Sequence, residues 1–262
     1  MRPIGVFDSG IGGLTVARAV ANRMAGSPLL YFGDTAHLPY GEKSPLLIRH
    51  YASRISHHLR DQGCRAIVVA CNSASSNALD AVKDAVGPDI PVVDVVQPVV
   101  SHLADRWPGG RVGVIGTRAT IDSGLYQQLL ASAGLQVSAR ATPLLASAIE
   151  EGFHQGAVSE ALLAAYLGDG AFDEVDALVL GCTHYPLIAG QITNHLPARV
   201  EVVNSPELVA DAVAALFPEE ATGSGSAEHR FLVSDLTESF AHGARLFFGE
   251  SIRLEASDLW RA

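Results

Sequence analysis

Cys71 and Cys182 close two apolar runs of similar make, Ile67-Val-Val-Ala-Cys-Asn-Ser73 and Leu178-Val-Leu-Gly-Cys-Thr-His184. Each run reads as a buried strand, and each cysteine stands before a stretch with a helical pattern. Ligands of open parallel sheets bind beyond the carboxyl ends of the strands. A helix N-terminus adds free N–H groups and the positive end of a dipole, which lower a thiol pKa and welcome a carboxylate. A free thiol starts near ~8.5, and lowering it by one unit takes about 1.4 kcal/mol. Two matched thiols suit one task well: removing the α-proton of an amino acid from one face and returning a proton to the other. One thiol starts as base and the other as acid, and the reverse reaction exchanges their roles. A single thiol beside a base would point to acyl transfer instead.

Other residues gather at the same strand ends. The loop Asp8-Ser9-Gly10-Ile11-Gly12-Gly13 comes after the first apolar run and opens a helix. Its glycines permit close backbone approach to a ligand. It has neither the GxGxxG nor the GxxxxGK[ST] pattern, so no nucleotide is expected. Asp8 is expected to hold a substrate ammonium group or assist proton transfer, with helix capping as the plainer alternative. Ser9, Asn72, Ser73, Thr117, Thr120 and Thr183 are small donors able to bind carboxylates without an arginine; capping or turn formation is the alternative for each. His184, two residues past Cys182, is placed to tune or relay its proton. Glu150 in Ala148-Ile149-Glu150-Glu151-Gly152 reads by itself as part of a solvated helix face. Cys64 has no comparable setting and reads as a packing residue.

The elements that must position these groups alternate. Strand-like runs lie at 4–7, 29–32, 66–70, 92–95, 111–115, 136–139, 177–180 and 200–203, with helical patterns such as 14–24, 46–62 and 124–133 between them. This alternation predicts an α/β chain of parallel sheets with helices on both faces. The stretch from Ile4 to Ser9 can be laid on Val112 to Thr117, as the two cysteine runs can be laid on each other. The spacings agree: Asp8 to Cys71 is 63 residues, and Gly116 to Cys182 is 66. The repeat predicts two similar lobes, flavodoxin-like and related by a pseudo-two-fold, with the site in the cleft between them. The expected division is 1–97 plus 207–262 for the first lobe and 98–206 for the second. The stretch 221–227, ATGSGSA, reads as a flexible surface loop.

The whole chain sets the limits. It has 262 residues, 48% hydrophobic and 18% charged, a globular composition able to bury a sizeable core. The formal charge of -10 makes nucleic acid and anionic membranes poor partners. There is no apolar run of membrane-spanning length, so no membrane helix is expected. The start, MRPIGVFDSG, lacks the layout of a signal peptide, and a cytoplasmic location is expected. Three cysteines in such a chain point to free thiols, and no paired Cys/His spacing suggests a metal.

The blocks FDSGIGGLTV (7–16), YFGDTAHLPYGEKS (31–44), VVACNSASS (68–76), GVIGTRATIDSGLY (113–126) and LVLGCTHYPL (178–187) resemble those of the glutamate racemases of bacterial cell-wall synthesis. The closing FLVSDLTESFAHGARLFFG (231–249) is similar to that family's last segment. The resemblance implies interconversion of L- and D-glutamate without any cofactor, metal or nucleotide, supplying D-glutamate for peptidoglycan, and it implies a homodimer. It implies that Cys71 serves the D-enantiomer and Cys182 the L-enantiomer, with Asp8, His184 and Glu150 as auxiliary groups. It further implies substrate contacts from Asp8-Ser9, Tyr40-Gly41, Asn72-Ser73 and Thr183-His184, with Thr117 and Thr120. Ser73 stands where the family usually has Thr, and 141–147 is a looser match. The N-terminus lacks the extension of members that need a cell-wall precursor as activator, so activity without one is expected. Three other readings remain open: a racemase of aspartate or another amino acid, a two-lobed amino-acid-binding protein, and a thiol hydrolase.

Overall fold

The computed structural model describes residues 1–221, 227–249 and 252–260; most of the expected 221–227 loop lies outside the described residues. Among the described residues the apolar runs form ten strands: β1 (Ile4–Asp8), β2 (Leu29–Gly33), β3 (Ala66–Val69), β4 (Val92–Asp94), β5 (Arg111–Gly116), β6 (Gln136–Ala141), β7 (Ala177–Gly181), β8 (Glu201–Val203), β9 (Arg230–Val233) and β10 (Leu254–Ala256). Strands β1, β2, β3 and β7 are buried at every position. Apolar residues cover both faces of such strands, and each fully buried Val, Leu or Ile side chain contributes roughly 1.5–3 kcal/mol.

The strands make two sheets, ordered β10-β9-β2-β1-β3-β4 and β6-β5-β7-β8. Every pairing is parallel. The first four strands of each lobe share one order, second-first-third-fourth, which is the flavodoxin-like arrangement expected. The last two strands extend the first sheet beyond β2. The chain thus crosses from the first sheet to the second after β4 and returns after β8.

The lobes match in register as well as order. Gly5 lies opposite Ile67 in the first, and Gly113 lies opposite Leu178 in the second. These are the partners that the sequence repeat superposes. Both glycines answer the same crowding: a Cβ on Gly5 would stand 2.9 Å from Ile67 Cδ1, and one on Gly113 2.7 Å from Leu178 Cδ1. Equal register carries equal strand ends, so Cys71 and Cys182 occupy equivalent places.

The two cysteines differ in the segments they lead into. Cys71 is the N-cap of a 15-residue helix, Asn72–Val86, which ends where Gly87 turns to φ +80°. After Cys182 there is no long helix. Pro186 lies in a 3-10 turn, Tyr185–Ile188, and only a six-residue helix, Ala189–Asn194, comes next. The expected helix terminus therefore exists at Cys71 alone. Among the described residues, no helix is long and apolar enough to cross a membrane.

Candidate active site

The loop after β1 is built around the Asp8 carboxylate. Oδ2 accepts the backbone N–H groups of Gly10 at 3.1 Å and Gly13 at 2.9 Å. Tyr31 Oη holds the same loop from below, donating to the Gly10 carbonyl at 2.7 Å. The other oxygen, Asp8 Oδ1, is buried with no hydrogen-bond partner. Leaving such an acceptor unpaired costs about 1–3 kcal/mol, which a ligand donor would recover. One Asp8 oxygen thus fixes the loop and does not cap the helix Leu14–Arg23, which has no side-chain cap, while the other oxygen is left out of the loop's hydrogen bonds. Burial raises its pKa above the ordinary carboxylate range, against the opposing effects of His184, the two loop amides and Cys71.

Cys71 lies behind this loop. Its Sγ accepts from the Ala74 N–H at 3.5 Å and donates to Ser9 Oγ at 3.8 Å. Burial pushes the thiol pKa strongly up, and the Asp8 charge adds to that. The lowering expected from a helix terminus is overturned here. A terminal dipole contributes roughly 0.3–1 kcal/mol, whereas full burial can move a pKa by about 3–5 units.

Cys182 has a different neighbour. Its Sγ lies 3.5 Å from His184 Nδ1, and His184 Nε2 lies 2.7 Å from Glu150 Oε1. Burial works against the His184 charge, but Cys182 and Glu150 outweigh it, so the imidazole keeps its proton well above its ordinary pKa. Phe247, from the helix Glu238–Phe248, packs edge-on against the ring at 5.3 Å. Glu150 is therefore no member of a solvated face. It closes the helix Pro143–Glu150 and meets the histidine there.

Replacing Glu150 by Gln tests this chain of contacts. A histidine whose folded pKa exceeds its ordinary ~6.5 stabilises the fold fully below that pH. The contribution is lost as pH rises through the folded value. Glu150→Gln should lower the His184 pKa in an NMR titration. The loss in Tm relative to wild type should be greatest at acid pH and shrink as pH rises. An unchanged titration would remove Glu150 from the site.

The two cysteines line one cavity of about 30 Å³, with Asp8, Ser9, Tyr40, Gly41, Asn72, Ser73, Thr117, Glu150, Thr183 and His184. Every site residue picked from the sequence is there except Thr120, which stands just behind, its Oγ1 3.0 Å from Thr117 Oγ1. The hydroxyls of Ser73 and Thr117 meet at 2.9 Å, one from each lobe. So small a space holds only a few waters.

Several contributors had no local signal. Tyr126, fully buried, donates from the second lobe to Asn72 Oδ1 at 2.9 Å. That contact turns the Asn72 amide nitrogen, buried and without a partner, to the opposite side. Pro39, Ala146 and Ser147 also line the cavity. Only the wider block around Tyr126 hinted at its part. Among the described residues, no group of three His, Cys, Asp or Glu side chains could hold a metal ion.

The profile of the Asp/Glu/Hydantoin racemase family matches residues 12–213. Over 260 residues the chain is 41% identical to the glutamate racemase of Saccharopolyspora erythraea, covering 98% of this chain and 95% of that one. It is 42% identical over 264 residues to that of Beutenbergia cavernae, covering 95% and 90%. A crystal structure of glutamate racemase from Francisella tularensis in complex with D-glutamate aligns with a TM-score of 0.92 and 34% identity, covering 100% of this chain and 99% of that one.

Proposed function

The chain belongs to the Asp/Glu/Hydantoin racemase family, and from that premise we propose how it works: it interconverts L- and D-glutamate, with Cys71 and Cys182 as the two proton-exchanging groups. The observation that carries this is the single small cavity lined by both thiols, each at the same strand end of its own lobe.

The unpaired groups suggest the pose. Asp8 Oδ1 is an acceptor without a donor, and Asn72 Nδ2 is a donor without an acceptor. The first suits a substrate ammonium group and the second a carboxylate. The hydroxyls of Ser9, Ser73, Thr117 and Thr183 and the backbone at Tyr40-Gly41 supply further polar contacts. Thr120 supports them from behind.

In one direction the thiolate of Cys182 takes the α-proton of L-glutamate while the thiol of Cys71 gives its proton to the opposite face. In the other direction the roles exchange. Each turnover moves one proton onto one sulfur and one off the other, so the protein ends with the two thiols exchanged in state. Burial makes a thiol hard to ionise, and once ionised it is a stronger base toward a weak carbon acid. Placing the substrate ammonium beside Asp8 and Cys71 favours that ionised form. His184 holds a proton next to Cys182, with Glu150 holding His184. The product D-glutamate serves peptidoglycan synthesis in this proposal.

The test is α-proton exchange in deuterated water, monitored by NMR on both enantiomers. The expected result is that each glutamate enantiomer yields both, with deuterium at the α-carbon, and that aspartate under the same conditions reacts far more slowly. Tight binding of glutamate with the α-proton retained would overturn the proposal in favour of a binding protein. Faster exchange on aspartate would reassign the substrate.

A further inference from the structure

The wall of the cleft that carries Tyr40 and Gly41 is a 3-10 turn, Tyr40–Glu42, with little backbone bonding of its own. Its placement matters, because a Cβ on Gly41 would stand 2.7 Å from Thr117 Cβ across the cleft. What holds the turn is a second buried carboxylate, Asp34. Tyr40 Oη donates to Asp34 Oδ2 at 2.5 Å. His37 Nδ1 lies 3.0 Å from Asp34 Oδ1 and 3.1 Å from Oδ2. Asp34 is itself hung from the site, its N–H donating to the Asp8 carbonyl at 3.0 Å.

Two further donors come from the far end of the chain. Ser234 Oγ donates to Asp34 Oδ1 at 2.8 Å, and Trp260 Nε1 donates to the same oxygen at 2.8 Å. Both are well seated. Ser234 Oγ also accepts from the Ala36 N–H at 2.9 Å. Trp260 lies under the Arg54 guanidinium at 4.9 Å and edge-on to the His37 ring at 4.6 Å. Arg54 in turn donates to the Leu259 carbonyl at 2.9 Å.

We propose that Asp34 is a positioning residue for the Tyr40-Gly41 wall, and that Ser234 and Trp260 set its place, so that two residues distant in sequence tune substrate affinity without touching substrate. This rests on the assignment of Tyr40 and Gly41 to the substrate cleft. The Asp34 carboxylate is fully buried while its two distant donors are half-buried; hydrogen bonds to such a carboxylate are the strong kind, and losing one donor frees it to pull on Tyr40. The wall contacts ground state and transition state alike, so its displacement raises KM more than it lowers kcat.

The test uses Trp260→Phe, which keeps an aromatic ring and removes the N–H, together with Ser234→Ala and Ser234→Thr. Trp260→Phe and Ser234→Ala should each raise KM about tenfold for both glutamate enantiomers, with kcat within about threefold of wild type. Ser234→Thr, which restores the hydroxyl, should return KM to near the wild-type value. Backbone amide exchange in residues 38–42 of the unliganded protein should quicken in the first two variants and not in the third. Wild-type KM in Trp260→Phe and Ser234→Ala overturns the proposal, as does a fall in kcat at constant KM. Unchanged amide exchange overturns it as well, and does so independently of whether glutamate is the substrate. Failure of the wild-type chain to racemise glutamate would instead tell against the function, leaving the exchange measurement to decide the positioning role.

Discussion

Changing Cys71 or Cys182 to Ser should each lower kcat for racemisation by at least about 10³-fold, in both directions. A positioned acid or base contributes typically about 10²–10⁴-fold, and a hydroxyl in place of the thiol is far harder to ionise. Both sulfurs must act in every turnover, so neither variant should retain one direction of reaction. Proton exchange is more selective than racemisation. In deuterated water, residual exchange should fall on L-glutamate in Cys71→Ser and on D-glutamate in Cys182→Ser, because one sulfur still faces each. Each variant keeps its strand buried and its cavity lined, so circular dichroism should be unchanged. Either variant racemising within about tenfold of wild type would remove that residue from the proton path. A Cys64→Ala variant is the natural control. Its thiol is wholly buried away from the cleft, with a pKa pushed by burial to about 12, and racemisation should survive its loss.

Gly12→Ala should cost about 10²-fold in kcat/KM while leaving the protein folded. Gly12 does not have the positive φ of the turn glycines, so alanine meets no backbone strain there. The obstruction is across the cleft. The added methyl carbon would overlap Thr183 Oγ1 and stand 2.6 Å from both Cε1 and Nδ1 of His184. Thr15 Oγ1 already reaches over to the Thr183 carbonyl at 3.2 Å, so the two lobes meet here with no slack. A methyl forces the second lobe's Thr183-His184 segment back by several tenths of an ångström, and Cys182 moves with it. Misplacement of a reacting group by ~1 Å can cost about 10²-fold. Steady-state kinetics with a thermal melt separates the cases. A normal kcat/KM would mean that the gap between the lobes during turnover is wider than the structure shows. A large drop in Tm would mean that the contact matters for folding first.

Much of this was legible in the sequence. Strands β1, β3, β5 and β7 are continuous apolar runs, and the repeat that links them is the repeat of register seen in the sheets. That is why Cys71 and Cys182 could be placed at matching strand ends from the residues alone. Strand β10 was not read, because Leu254-Glu255-Ala256 is short, edge-placed and partly exposed. Glu150 gave no signal of its own, since a glutamate at a helix end looks the same whether water or an imidazole faces it. Tyr126 and Trp260 were hidden for another reason. Their partners, Asn72 and Asp34, lie 54 and 226 residues away, and no local pattern encodes a contact that only the packed lobes create. The pKa of Cys71 moves opposite to the expected direction because the sequence advertises a helix start but not how completely the thiol is enclosed.

The duplicated lobes also bear on handedness. One lobe is carried onto the other by a rotation, and a rotation cannot turn a left-handed molecule into a right-handed one. The enantiomers are therefore never presented with identical surroundings, however alike the two sulfurs are. The mismatch is written into the repeat itself: Asp8 answers to Gly116, Ser73 to His184 and Asn72 to Thr183. Thermodynamics fixes one thing only: free L- and D-glutamate have equal energy, which makes kcat/KM identical for the two. Within that constraint, kcat and KM are free to differ between the enantiomers by one common factor, and the unlike partners of Cys71 and Cys182 are where that factor originates.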